Sequence, residues 1–166
     1  ENTEAVLIIM LDSYLLPDLL ERSILLENIL SLMKVKQYRK AESEVEEKVF
    51  WDLRKAVSSA IKRISNDKLN EDITVPVSGM YTFIEFTRSI AEKYALRIVV
   101  YGHAGDGNLH VNILFDRNNA TELNNGRLAS EEVFKKAVEL GGNISGEHGI
   151  GLAKKNFLSI QYSKNE

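Results

Sequence analysis

The dipeptide Asp106-Gly107 lies between two strand-like runs rich in β-branched residues, Leu96–Tyr101 and Leu109–Phe115. Asp-Gly favours a two-residue hairpin turn with positive φ at both central positions. The sequence therefore predicts an antiparallel β-hairpin centred on this dipeptide. In that register His103 lies directly opposite His110, with roughly 4.5–5.5 Å between their Cβ atoms.

Glycine and histidine are concentrated in two short windows, residues 102–110 and 141–151. These windows hold all three histidines and eight of the ten glycines of the chain. An even scatter of either residue type would not produce this concentration. We therefore interpret the two windows as two halves of one site.

The predicted hairpin brings together the first half of a metal chelate. His103 and His110 share one face of the sheet, and Asn112 falls on it too because strand side chains alternate with period two. Glu147 in the second window supplies a third ligand, which leaves open positions of the kind that catalytic metals need. A single histidine in such a hairpin would more often make hydrogen bonds within the fold. Three histidines with an acid favour the metal.

Four stretches of the chain resemble the signatures of a known family. Two lie in the windows, Gly102–His110 and Gly142–Gly151, and two lie upstream, Phe50–Arg54 and Asn70–Pro76. They resemble the C-terminal domain of FAD-linked oxidases. That domain is the substrate domain of D-lactate dehydrogenase, of glycolate oxidase in its flavin subunit, and of D-2-hydroxyglutarate dehydrogenase. The resemblance covers most of residues 45–158.

The resemblance implies that residues 1–166 are the C-terminal substrate- and metal-binding domain of an FAD-dependent 2-hydroxyacid dehydrogenase. Such an enzyme oxidises a 2-hydroxy acid to a 2-oxo acid by hydride transfer to flavin. The FAD would be bound mainly by another domain of the same polypeptide, which is absent from this chain. The glycines agree with this division, because Gly102-x-x-Gly-x-Gly107 leads into a strand and does not open a helix, as a dinucleotide fingerprint must.

The resemblance also implies a role for several side chains. His103, His110 and Glu147 would hold a divalent metal, for which zinc is the first choice, while iron and manganese also suit imidazole and carboxylate. His148 would remove the hydroxyl proton as general base. Arg54 would bind the substrate carboxylate with its planar fork, although its spacing alone favours a solvated surface arginine.

The remaining candidate contacts are polar side chains and one glycine. Ser58 shares a helical face with Arg54, since the two are four residues apart. In this interpretation the substrate contacts Ser58, Lys68, Asn70 and Asn112, and the flavin contacts Asn108 and Gly146.

Two other functions fit part of the pattern. A His/His/Glu site could serve a metal-dependent hydrolase in which His148 activates water, although the helical H-E-x-x-H of metalloproteases is missing. A non-catalytic metal-binding module also fits a chain that carries no flavin domain of its own.

Composition restricts the partners and the compartment. A net charge of −3 and a pI near 5.7 give no electrostatic basis for binding nucleic acid. The absence of cysteine excludes disulfides and thiolate metal sites and fits a reducing compartment. No run of roughly 18 apolar residues and no basic signal segment is present. We expect a cytoplasmic protein, with membrane association only through partners.

The expected partners are a small 2-hydroxy acid, the FAD domain and an electron acceptor, and a homodimer is compatible with the sequence.

Hydrophobic periodicity predicts an α+β fold with a mainly antiparallel, ferredoxin-like sheet and helices packed on one face. The predicted strands are Ala5–Leu11, Leu32–Arg39, Asp72–Pro76 and the two arms of the hairpin. The predicted helices are Asp18–Ser31, Glu44–Ile64, Ser78–Tyr94 and Ser130–Leu140. Ser65–Glu71 is expected to be a loop, and Arg117–Ala129 shows no periodic pattern.

Overall fold

The computed structural model describes residues 5–65 and 67–162 of the chain. The chain divides after Val57 into two compact units. Helix α2 (Glu44–Ile64) begins in the first unit and ends in the second. Within the described residues, no helix combines the length and the apolar character that crossing a membrane would require.

The first unit is built from α1 (Leu16–Leu32) and the first part of α2. Pro17 occupies the first turn of α1, where its missing N–H costs no helical hydrogen bond. Between the helices, Tyr38 Oη and Lys40 Nζ donate hydrogen bonds to Glu27 Oε1, over 3.1 and 3.2 Å. Both helices lie where the hydrophobic period predicts them, and α2 has the predicted bounds.

The two strands predicted for the first unit are wrong. The segments Ala5–Leu11 and Leu32–Arg39 form no strand, and Val6 is 83% exposed. A strand is stable only when its N–H and C=O groups find a ladder partner, and the described residues of this unit offer none. The apolar side chains of α2 are also mostly exposed or half-buried, and Ile61 is the one buried residue of this helix among the described residues.

The second unit contains a three-stranded sheet and the helices that cover it. Its strands are β1 (Asp67–Thr74), β2 (Arg97–His103) and β3 (Asn108–Phe115), and its helices after α2 are α3 (Met80–Tyr94), α4 (Ala120–Glu139) and α5 (Leu158–Gln161). β3 lies between β1 and β2, and both pairings are antiparallel. This confirms an α+β fold with an antiparallel sheet. The order β1-α3-β2-β3-α4 is compatible with the ferredoxin-like pattern.

The two faces of the sheet differ in character. Ile73, Val111 and Ile113 are fully buried on one face, in a core shared with Phe83 of α3 and Phe134 of α4. Helices α3 and α4 contact each other and the sheet, so the helices cover this face as predicted. The alternate residues of the strands point the other way, and many of them are polar. The opposite face therefore carries the candidate chemistry.

Two segments for which the sequence predicts no helix or strand form regular secondary structure. β1 begins at Asp67 and pairs along its whole length with β3, so cross-strand pairing overrides the polar composition of Ser65–Glu71. α4 begins at Ala120, well before the predicted Ser130–Leu140. Asn119 caps it by accepting hydrogen bonds from backbone N–H groups of the first turn.

Glu71 is a buried acid on the helix-covered side of β1. The residue is 8% exposed, and its Oε1 accepts a hydrogen bond from Ser130 Oγ over 2.7 Å. Burial raises the pKa of Glu71 above its ordinary value, and the Ser130 hydrogen bond and the Lys154 charge oppose this only in part. A folded-state pKa above the unfolded value means that ionised Glu71 lowers stability. This loss of stability is absent at pH values below the pKa of Glu71 in the unfolded chain. It is complete at pH values above the pKa of Glu71 in the folded chain.

Glu71→Gln should therefore raise the thermal unfolding midpoint near pH 7 by a few degrees. The difference from the unaltered chain should begin to shrink as the pH falls through the folded pKa of Glu71. It should vanish below the unfolded pKa, where the acid is protonated in both states. Thermal melts followed by circular dichroism at a series of pH values measure both effects. A variant that is less stable near pH 7 would show that attraction to Lys154 outweighs the effect of burial.

Candidate functional site

The β2–β3 hairpin forms where the sequence predicts it, but in a different register. His103 pairs with Asn108, and Tyr101 pairs with His110. The prediction that His103 lies directly opposite His110 is therefore wrong. The two histidines still share one face of the sheet, as diagonal neighbours, and their rings meet edge to face with centroids 5.9 Å apart.

The turn explains the change of register. A two-residue type I′ turn needs positive φ at both central positions, whereas Gly107 has φ of 77° and Asp106 is not among the residues with positive φ. Asp106 Oδ1 instead accepts the backbone N–H of Asn108 over 3.0 Å, and Gly107 N–H donates to His103 O over 3.1 Å. The turn is therefore longer than the predicted one, and the facing pairs shift.

The three predicted metal ligands come together in the structure. One ligand atom from each of His103, His110 and Glu147 lies within 4.8 Å of the other two. His110 Nε2 and Glu147 Oε1 are 3.3 Å apart. Two ligands of a tetrahedral zinc ion, each at about 2.1 Å, are separated by about 3.4 Å. The donor set and its spacing thus fit a divalent metal.

The environment of His110 favours the form that a metal ligand needs. Burial lowers the pKa of His110; the charges of Asp72 and Glu147 oppose this, and His148 adds to the lowering. The imidazole is therefore neutral at neutral pH, with a lone pair on one ring nitrogen. Its Nδ1 is buried and has no hydrogen-bond partner among the described residues, so Nε2, which faces Glu147, is the ring atom directed at the cluster.

Asp72 organises the second glycine-rich window, a role that the sequence did not indicate. The residue is completely buried on β1, directly across from His110 on β3. Its Oδ2 accepts the backbone N–H groups of Gly146, Glu147 and His148 over 2.9, 2.8 and 2.8 Å. Its Oδ1 accepts Asn108 Nδ2 over 2.7 Å. The one available signal was its place in the Asn-Glu-Asp-Ile-Thr-Val-Pro motif.

The charge state of Asp72 follows from these bonds. Burial would raise its pKa, but the hydrogen bonds from His148, Asn108 and Glu147, with the Lys154 charge, hold it below the ordinary value. Asp72 is therefore ionised at neutral pH. It is a hydrogen-bonded carboxylate that ties the 146–148 loop to the sheet.

Asp72 also belongs to a second possible ligand group, with His110 and His148. Its carboxylate already accepts hydrogen bonds from the loop and from Asn108, so binding an ion would cost those bonds. Glu147, by contrast, projects an exposed carboxylate towards His110. The group of His103, His110 and Glu147 is the better metal candidate on these contacts.

His148 lies beside the candidate metal ligands. Its ring stacks on that of His110, with centroids 5.4 Å apart and planes inclined by 22°. Its Nε2 is 3.8 Å from Glu147 Oε1, and the side chain is half exposed. An imidazole in this position can exchange a proton with a small molecule held at the cluster.

Three of the predicted substrate contacts form one polar row on the same face of the sheet. Lys68 and Asn70 lie in β1 and not in a loop. Asn70 pairs with Asn112 across the ladder, and Lys68 Nζ donates to Asn112 Oδ1 over 2.7 Å. The row continues along the strands to the pair of Asp72 and His110.

The other predicted contacts are distributed as follows. Arg54 lies on α2 in the first unit, and Ser58 lies on the same helix in the second. Both side chains are exposed. Asn108 is buried next to Asp72, and its Oδ1 has no hydrogen-bond partner among the described residues. That atom can accept a hydrogen bond from a bound molecule.

Gly146 is glycine for a steric reason that is independent of any cofactor. A Cβ at this position would lie 1.9 Å from Asn108 Nδ2 and 2.7 Å from Asp72 Oδ1. The loop backbone therefore approaches β1 and β3 more closely than any side chain allows. Further glycines whose Cβ would collide with neighbouring backbone are Gly102, Gly107 and Gly142. Close packing of the two windows against the sheet thus explains much of their glycine content.

Gly146→Ala should cost about 1–3 kcal/mol of stability, because the added methyl group overpacks a buried contact. Gly105→Ala is the matched control, since its Cβ would meet nothing within 4 Å and its φ is not positive. The control should be neutral or slightly stabilising. Urea unfolding of the two variants and the unaltered chain measures the difference. Equal stability of both variants would mean that the loop does not pack against Asp72 and Asn108.

The chain is similar to known proteins over most or all of its length. The family model for FAD linked oxidases, C-terminal domain, matches residues 1–166. The chain is 39% identical over 124 residues to the glycolate oxidase subunit GlcD of Bacillus subtilis, covering 75% of this chain and 26% of that protein. It is 35% identical over 165 residues to GlcD of Escherichia coli K12, covering 99% of this chain and 33% of that protein. It is 35% identical over 121 residues to D-lactate dehydrogenase of Anaerostipes hadrus, covering 72% of this chain and 25% of that protein.

The chain thus spans about a quarter to a third of the length of these relatives. It belongs to the family of FAD linked oxidases, whose C-terminal domain it matches.

Proposed function

We propose that this chain is the substrate- and metal-binding part of an FAD-dependent 2-hydroxyacid dehydrogenase. The observation that carries the proposal is the meeting of His103, His110 and Glu147, with His148 stacked against them. Membership of the FAD linked oxidases and likeness to proteins named glycolate oxidase and D-lactate dehydrogenase support it. The reaction is oxidation of a 2-hydroxy acid to a 2-oxo acid.

In the proposed site His103, His110 and Glu147 would hold a divalent ion, with zinc the first choice and iron or manganese also suited to these donors. When bound, such an ion lowers the pKa of a hydroxyl group that it contacts. The three side chains come from two kinds of segment: both histidines lie on the hairpin strands, and Glu147 lies on the loop that Asp72 holds.

His148 is the proposed general base. It takes the proton from the substrate hydroxyl, while the α-hydrogen leaves with its electron pair. FAD, which a domain of the same polypeptide outside this chain would mainly bind, would supply the acceptor for that hydride. The exposed position of His148 suits a group that must meet a substrate and then return its proton to solvent.

The polar row positions the substrate in this proposal. Lys68, Asn70 and Asn112 offer an ammonium and two amides on the face that carries His110. Arg54 binds a carboxylate with its fork, and Ser58 assists it from one turn further along α2. Asn108 and Gly146 would contact the flavin, and Asn108 Oδ1, which has no hydrogen-bond partner among the described residues, would be the acceptor.

The proposed assembly extends beyond this chain. It includes the FAD domain and an electron acceptor, with a homodimer as the oligomeric form to test. We place the protein in the cytoplasm, with membrane association only through partners.

Anaerobic mixing of the full-length flavoprotein with D-lactate, glycolate or D-2-hydroxyglutarate tests the function. At least one of these acids should bleach the oxidised flavin absorbance and yield the matching 2-oxo acid. Ester and peptide substrates, assayed in parallel, should not be hydrolysed. Hydrolysis without flavin reduction would replace the proposal with a metal-dependent hydrolase.

The neighbours Glu147 and His148 should respond differently to substitution. Glu147→Gln removes a ligand, so it should weaken metal binding and lose activity that excess metal restores in part. His148→Asn removes the base, so metal content should stay normal while flavin reduction slows by about 10²–10⁴-fold. A higher pH should recover part of the His148→Asn rate, because the substrate hydroxyl then ionises without help from the imidazole.

Metal analysis and single-turnover flavin reduction on both full-length variants measure these effects. Loss of metal in His148→Asn with retention in Glu147→Gln would reverse the two assignments and refute the mechanism.

A further inference from the structure

One carboxylate contacts both halves of the candidate centre. Asp72 Oδ2 accepts hydrogen bonds from three successive backbone N–H groups of the loop that carries Glu147 and His148. Asp72 Oδ1 lies 3.8 Å from Nδ1 of His110, the buried ring atom that lacks a hydrogen-bond partner among the described residues. Asp72 therefore connects the strand half of the site with the loop half.

The two ring nitrogens of His110 face different carboxylates. Nδ1 faces Asp72 over 3.8 Å, and Nε2 faces Glu147 over 3.3 Å. A neutral imidazole carries one proton, and a nitrogen that binds a metal must be the one without it. A proton on Nδ1 points at the ionised Asp72 and leaves the Nε2 lone pair directed at Glu147. A proton on Nε2 would instead place the Nδ1 lone pair against the negative charge of Asp72.

We propose that Asp72 is a positioning residue for the reaction: it selects the Nδ1–H form of His110 and fixes Glu147 and His148 through their backbone. Metal-binding histidines generally donate their other N–H to a carboxylate, a carbonyl or a water molecule. Asp72 is the carboxylate that faces this N–H from β1, with Oδ1 3.8 Å from Nδ1, while its Oδ2 holds the loop. The inference rests on the proposed function, because it takes His110 Nε2 to be a ligand atom.

Asp72→Asn keeps the shape of the side chain and replaces one acceptor oxygen by an NH₂ group. If the remaining oxygen of the new amide still accepts the hydrogen bonds from the loop backbone, its NH₂ group points towards Asn108 and His110 Nδ1. Asn108 can turn its amide so that Oδ1 accepts from this NH₂ group, at the cost of the hydrogen bond that its Nδ2 donates to Ile73 O over 3.1 Å. His110 Nδ1 then becomes an acceptor, and the ring proton moves to Nε2, where it blocks the metal.

The metal affinity of the full-length flavoprotein should therefore fall by about 10–100-fold in Asp72→Asn. Competition between the protein and a chelator for zinc measures this without recourse to activity. Glu71→Gln is the matched control, because it neutralises the adjacent buried carboxylate, which bonds to Ser130 on the other side of the sheet. Its zinc affinity should stay within twofold of the unaltered protein. Equal affinities of the two variants would overturn the proposal.

The form of His110 can be measured directly in the unaltered 166-residue chain without metal. Nitrogen-15 chemical shifts of the histidine rings should show Nδ1–H for His110 in this chain and Nε2–H after Asp72→Asn. An Nε2–H ring in the unaltered chain would overturn the proposal even if the variant does not fold.

The same measurement separates this inference from the proposed metal centre. Unchanged zinc affinity in Glu147→Gln would contradict the metal centre, whereas the ring measurement needs no metal. It therefore decides the role of Asp72 in either case.

Discussion

The two-sided pairing of β3 is the constraint on which the rest of the second unit depends. All eight residues of β3 are buried, and the strand is hydrogen-bonded to β1 on one side and to β2 on the other. Alternation then assigns its residues to opposite surfaces. Val111 and Ile113 enter the apolar core, while His110 and Asn112 face the candidate site. The core and the candidate site thus depend on the same strand.

Sequence reasoning identified the residues of the candidate cluster but not the contacts that connect them to the fold. The clustering of the three histidines led to His103, His110 and Glu147, and period two placed both hairpin histidines on one face. Sequence reasoning did not predict the role of Asp72, because the strand that carries this residue was expected to begin only there. The polar residues before it form a strand through pairing with β3, which local composition does not encode. The register was missed for a related reason, since the Asp106 side chain and not the Asp-Gly dipeptide alone shapes the turn.

The second window depends on contacts that are distant in sequence. Asn143 exchanges backbone hydrogen bonds with Thr74, and Lys154 Nζ donates to the carbonyl oxygens of Asp72 and Ile144 over 2.6 and 2.8 Å. Burial lowers the pKa of this lysine, although Glu71 and Asp72 oppose the shift. Together with the Asp72 carboxylate, these bonds fix an irregular segment against β1. A loop of this kind can present Glu147 and His148 accurately without regular secondary structure of its own.

The alternation of β3 has a consequence for how such a chain can vary in length. One residue inserted within the strand would exchange its two surfaces beyond that point, moving His110 into the core or Val111 into the site. Insertions and deletions in the sheet would therefore disturb the apolar core and the candidate site together, whereas a substitution changes one of the two surfaces. The exposed segment Asp116–Asn119 before α4 is free of this restriction. Length changes compatible with the site should be confined to such connections.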